Sequence, residues 1–158
     1  MFLFFLVASI VVIGWNVAKS PVRSYDKIAE LSFKYLLFIL VGMGGSMAFF
    51  GHIMKPDYIA SQIGWPTGSP FQLEVAFANL AFGVLGLLSL PLAGNFRIAA
   101  AIGNSVFLLG CAYVHLSELF GKGNLAPLNA GPVLWISDLF VPLMLLFLAG
   151  VEYRRLNR

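Results

Sequence analysis

A chain of 158 residues has room for one domain, and a composition of 59% hydrophobic against 11% charged residues is that of a protein solvated by lipid; a soluble domain carries roughly 25% charged residues. The net charge of +3 comes from basic residues at the ends of apolar segments rather than from basic patches interleaved with exposed aromatics, which excludes a nucleic-acid reader. The one cysteine, Cys111, excludes an intrachain disulfide and any cysteine-cluster metal site.

Five apolar segments follow one another, each near the roughly 20 helical residues that cross a hydrocarbon core of about 30 Å. The first, 2–17, has no positive stretch before it and no small-x-small cleavage site after it, so it is expected to be a retained anchor helix. A polar connector, 19–32, contains Pro21, Arg23, Asp26, Lys27 and Glu30, and part of it reads as an interfacial helix. The second span covers 33–53, with Gly42, Gly44, Gly45 and Ser46 permitting close helix approach. The loop 52–69, with Pro56, Tyr58, Gly64, Trp65, Pro66 and Gly68, is expected to be an ordered lid.

The third span covers 69–92, with Ser69 as N-cap, Pro70 at the first helical position and Gln72 completing a capping box; Gly83 and Gly86 lie within it. The fourth covers 98–120. The fifth covers 132–151, opened by Gly131-Pro132 and kinked at Pro142. The fold expected is all-α and integral to the membrane. Five transmembrane helices form a single transmembrane domain over 1–158, with an anchor helix over 1–18 and a compact four-helix bundle over 33–151.

Lysine and arginine set the orientation. With the N-terminus outside, Lys19, Arg23, Lys27, Lys34, Arg97, Arg154, Arg155 and Arg158 fall inside, and only Lys55 and Lys122 fall outside. The expectation is a multi-pass protein of a prokaryotic inner (cytoplasmic) membrane, with the C-terminus inside. This topology brings His52, Glu74, His115, Glu118 and Asp138, from four helices, to one depth near the outer face. Ionisable groups inside a bilayer face the bundle interior and pair with one another, so a polar pocket is expected among spans two to five. His115 and Glu118 are three apart and share a helix face, which Cys111 and Asn104 continue. Asn79 and Asn104 read as interhelical hydrogen-bond glue.

A quinone or other lipophilic ligand matches this set best among the ligands considered. Phe71, Phe77, Trp65, Tyr113 and Trp135 supply an aromatic lining at the right depth, and the His and carboxylate groups can carry protons. The contacts assigned to such a ligand are Glu74, His115, Glu118 and Asp138, with His52 at the mouth and Trp65 and Tyr113 beside them. Two histidines also admit a haem, and a His-x-x-Glu pair admits a transition metal, but neither set is complete enough to be preferred over a quinone. A different class of reading makes the chain a non-catalytic accessory subunit of a larger membrane complex or a homo-oligomer, its polar groups bonding only one another. No hydrolase elbow, phosphate loop, zinc-protease motif or dinucleotide fingerprint occurs.

The string Gly64-Trp65-Pro66-Thr67-Gly68-Ser69-Pro70-Phe71-Gln72 with Glu74, and Asn129-Ala130-Gly131-Pro132 before the last span, resemble a family of small prokaryotic membrane proteins of unknown function. The four-span unit is more remotely similar to the DoxX-like membrane proteins, some of which are associated with quinone-linked sulfur oxidation. That resemblance implies quinone chemistry in general terms and carries over no site residue.

Overall fold

The computed structural model describes residues 2–158. Helix α1 is Phe2–Lys19 and α2 is Tyr25–Met54, wound as a π-helix over Leu37–Met43. They are followed by a short α3 (Pro56–Ile63), then α4 (Phe71–Leu88), α5 (Asn95–Lys122) and the single turn α6 (Pro127–Ala130). The last helix, α7, is a π-helical stretch, Val133–Phe140, running into Val141–Leu156. Among the described residues, four helical stretches are long and apolar enough to cross a membrane: Tyr25–Met54, Phe71–Leu88, Asn95–Lys122 and Pro127–Leu156. A shorter apolar helix, α1, precedes them. The chain is a multi-pass helical membrane protein.

Local chemistry explains where the helices depart from the sequence-based boundaries. Helix α2 starts within the polar connector because Ser24 Oγ accepts a hydrogen bond from the Lys27 amide, and because Ala29, Leu31 and Phe33 are buried. The connector therefore forms no separate interfacial helix. At α4, Ser69 Oγ accepts from the Phe71 amide at 3.3 Å, but Gln72 does not complete a capping box; its side chain is buried against His52. In α7, Pro142 has no N–H to offer the carbonyl of Asp138. The turn before it winds wide, and the Val141 amide reaches back five residues to the Ile136 carbonyl.

Packing between helices in lipid relies on shape rather than on hydrophobic transfer. Helices α2 and α4 meet backbone to backbone: a Cβ on Gly45 would lie 2.9 Å from the Asn79 carbonyl oxygen, and one on Gly42 would lie 2.8 Å from the Leu87 nitrogen. Helices α5 and α7 form a second pair, tied where Ser105 Oγ donates to the Pro142 carbonyl at 3.2 Å. The two pairs join at the basic end. There Phe33, Leu36, Leu37, Leu145 and Ala149 form a core. At the same end Arg155 holds the buried Glu152 through two bonds of 2.8 and 3.0 Å, and Arg158 pairs with Asp26 at 3.1 Å. Buried Arg97 donates to the Ser89 carbonyl at 2.8 Å, satisfying a free carbonyl where α4 ends. Away from this end the pairs diverge, and α4 and α5 touch little.

Replacing Gly45 with Leu is expected to force α2 from α4 and cost about 1–3 kcal/mol or more. Gly150→Ala, where a Cβ meets no described atom within 4 Å, should stay within about 1 kcal/mol of the parent. Thermal unfolding in one detergent compares the two. Equal unfolding temperatures for Gly45→Leu and the parent would show that the close approach is not needed.

Candidate functional site

Between the diverging pairs lies a cavity of about 780 Å³. Its wall is largely apolar, and its polar side chains come from every long helix from α2 onward: His52 (α2), Gln72 and Asn79 (α4), Asn104, Cys111 and His115 (α5), and Ser137 and Asp138 (α7). It follows α5 from Asn104 to His115, eleven residues, or about 16 Å at the helical rise. Val106 and Val114, which lie on the exposed face of α5, form part of its rim.

Two histidines stand at the end capped by the 55–70 segment. His52 Nδ1 lies 2.7 Å from Gln72 Oε1, joining α2 to α4. His115, on α5, is held from three sides. Its Nδ1 lies 2.8 Å from Asn129 Oδ1, its Nε2 lies 3.8 Å from Asp138 Oδ2, and the Trp65 ring stacks on it with centroids 5.9 Å apart.

The Asn129 amide fixes the imidazole tautomer. Its Nδ2 donates to the carbonyls of Asn124 (2.8 Å) and His115 (3.3 Å), so its Oδ1 is the atom turned toward Nδ1. A carbonyl oxygen only accepts, and Nδ1 must carry a hydrogen. Nε2 is then left facing Asp138. At 3.8 Å the contact is too long for a direct hydrogen bond. Both atoms keep capacity for a third group.

The segment over the cavity is ordered by its own bonds. Asn124 Nδ2 donates to the Ile63 carbonyl at 2.9 Å, Asp57 accepts from the Gly68 amide at 2.9 Å, and Ile59, Ile63 and Trp65 face the cavity. Gly64 takes a left-handed conformation, φ 83°, pressed against the Asn124 amide, where a side chain would be both strained and crowded.

Of the seven residues singled out from the sequence, His52, Trp65, His115 and Asp138 line this cavity, and Glu74, Glu118 and Tyr113 do not. Helical phase explains the difference. The inward face of α4 runs through Gln72, Ala76, Asn79 and Gly83, which turns Glu74 outward. On α5 the inward stripe is Asn104, Leu108, Cys111 and His115; Tyr113 lies across the helix from it, 74% exposed. Glu118 continues past the cavity and pairs with Lys122 at 2.6 Å. Asn79 and Asn104 do not glue helices together: Asn79 donates to Val75 in its own helix, and Asn104 Nδ2, buried, finds no hydrogen-bond partner among the described residues. Sequence reasoning missed Gln72, Asn124 and Asn129. For Asn129 a signal existed, since a short connector before Gly131-Pro132 must lie over the end of α5. Among the described residues, no three His, Cys, Asp or Glu side chains gather as a metal set would.

Apolar membrane-length helices around a cavity with buried hydrogen-bonding groups define a polytopic α-helical membrane protein with an internal cavity. The chain belongs to the family described as a family of unknown function, DUF6790, which it matches over residues 1–158. Neither a curated protein nor a solved structure matches it.

Asn124→Ala is expected to loosen the cap. Amide exchange at Gly64 and Trp65, whose N–H groups bond the Ser61 and Ala60 carbonyls, should accelerate about tenfold or more while the amides of α2 keep their protection. Unchanged exchange at these two amides would show that Asn124 does not hold the segment.

Proposed function

We propose that the cavity binds a lipid-soluble carbonyl compound of the quinone class, in the service of redox chemistry at the membrane. The observation that carries this reading is an elongated, mostly apolar cavity with the His115–Asp138 pair on its wall. A quinone needs apolar walls for its ring and tail, and hydrogen-bonding groups for its ring oxygens. It also exchanges protons when it changes redox state, and an imidazole beside a carboxyl group is suited to that exchange. His52 with Gln72 offers a second polar contact at the same end, and Trp65 and Phe71 supply aromatic surface.

In this reading α1 is a fifth span. The basic end faces the cytoplasm of a prokaryotic cell, by the Lys and Arg distribution, and the capped end faces out.

A decyl-substituted benzoquinone added to the protein in lipid nanodiscs should quench tryptophan fluorescence saturably, through Trp65. His115→Ala and Asp138→Asn should each weaken binding about tenfold, or about 1.4 kcal/mol. Glu74→Gln and Glu118→Gln, outside the cavity, should leave it unchanged. Absence of saturable quenching, or equal affinity in the His115 and Asp138 variants, would remove the proposal.

A further inference from the structure

A second recess, of about 300 Å³, lies between α1 and α2. Phe4, Ala8 and Val12 line it from α1, and Tyr35, Ile39 and Met43 from α2, each set spaced four residues apart along one helix face. Either stripe runs over eight residues, or about 12 Å at the helical rise. That is close to one leaflet of a hydrocarbon core of about 30 Å. The only oxygen on a lining side chain, the Tyr35 hydroxyl, donates to Asn16 Oδ1 at 2.9 Å and ties the two helices together. Both stripes end in a lysine toward the basic end. Lys19 lies seven residues beyond Val12, and Lys34 lies four before Phe38, another lining residue. Lys19 Nζ stands 4.2 Å from the centroid of the Trp15 ring, and Lys34 Nζ 5.2 Å from that of Tyr35. Neither lysine has a carboxylate partner among the described residues, because the acids at this end are taken. Asp26 pairs with Arg158, Glu30 with Lys27 and Arg155, and Glu152 with Arg155. Arg23, in the connector between α1 and α2, bonds only the Ala18 carbonyl.

We infer that this groove holds an acyl chain of an anionic glycerophospholipid, with the lipid phosphate at Lys19 and Lys34 and Arg23 beside it. The walls are apolar over the depth of one leaflet, and the phosphate supplies the negative charge that the local acids no longer offer. A zwitterionic headgroup brings an ammonium of its own to the same place, so the lysines select the anionic lipid. An apolar helix, such as one from a second copy of the chain, would cover the walls but leave both ammonium groups unmatched. The lipid gives α1 a further neighbour, since this shorter helix packs mainly on α2. The inference does not depend on what the cavity between the helix pairs binds.

The test offers delipidated protein equal amounts of phosphatidylglycerol and phosphatidylcholine with the same acyl chains, and native mass spectrometry counts the lipid each chain retains. The parent should prefer phosphatidylglycerol about tenfold or more. Lys19→Gln combined with Lys34→Gln should lose that preference, about fivefold for each lysine, by weakening phosphatidylglycerol alone. Lys19 is exposed and Lys34 half-buried, so this variant should unfold at the parent's temperature. Arg154→Gln, at the same end but on α7, should change nothing. Ala8→Phe, which fills the groove, should lower retention of both lipids, and Ala8→Leu serves the same comparison should the phenylalanine not be accommodated. Equal retention of the two lipids by the parent, an unchanged preference in the lysine variant, or undiminished retention in the filled groove would each overturn the site. A lipid-free dimer that Ala8→Phe separates would give the groove to a second copy of the chain and overturn the lipid.

Discussion

The backbone contact between α2 and α4 is the constraint on which the rest of the structure depends. Gly42 and Gly45 on one helix, and Gly83 and Gly86 on the other, bring the two so close that no side chain fits between them. Two helices locked at that distance behave as one rigid half. The other half, α5 with α7, packs on it fully only near the basic end, where the buried aliphatic and aromatic side chains of α2 and α7 meet. Beyond that core the halves separate, and the interior becomes a cavity instead of a packed seam. Small residues at one interface therefore create space at another.

Such a space in a membrane protein must account for its polar lining, because lipid offers no hydrogen bonds. At the capped end the account is nearly closed. Asn129 uses both amide hydrogens and its oxygen, Asn124 ties the connector to α3, and Trp65 lies across His115. These bonds hold an imidazole at a fixed tautomer and orientation beside Asp138. The π-helical start of α7 carries Ser137 and Asp138 on this wall. Wide turns of this kind occur frequently at functional sites, and here Pro142 supplies the cause by withholding the amide that a regular turn would use.

Much of this was legible in the sequence, for identifiable reasons. Long apolar runs bounded by Lys and Arg announce membrane helices through bulk hydropathy, which needs no knowledge of packing. The glycines of α2 and α4 announce close approach because few other roles suit them in lipid. The site was legible only in part. Depth placed Glu74 and Glu118 with His115, but depth is one coordinate, and the azimuth of a side chain around its helix decides whether it reaches the interior. That angle was readable on α5 from the spacing of Asn104, Cys111 and His115. On α4 it was obscured because Gln72 resembled a capping residue. The bonds of Asn124 were out of reach, and those of Asn129 were hinted at only by the shortness of its connector, since both depend on how a connector folds back over a helix end. The early start of α2 was hidden by the charges of Lys27 and Glu30, which pair with each other at 3.2 Å at the helix surface.

On the proposed reading, the rim of the cavity on the exposed middle of α5, at Val106 and Val114, changes what concentration means for a ligand. A compound arriving there is drawn from the hydrocarbon phase, so occupancy follows its mole fraction among the surrounding lipids rather than its amount in the aqueous volume. Dissolving the protein in more detergent or more lipid dilutes the occupant even when its total quantity is fixed. The same mass action makes every acyl chain in the leaflet a weak competitor at very high abundance. Selectivity at such a site is therefore exercised against the solvent itself.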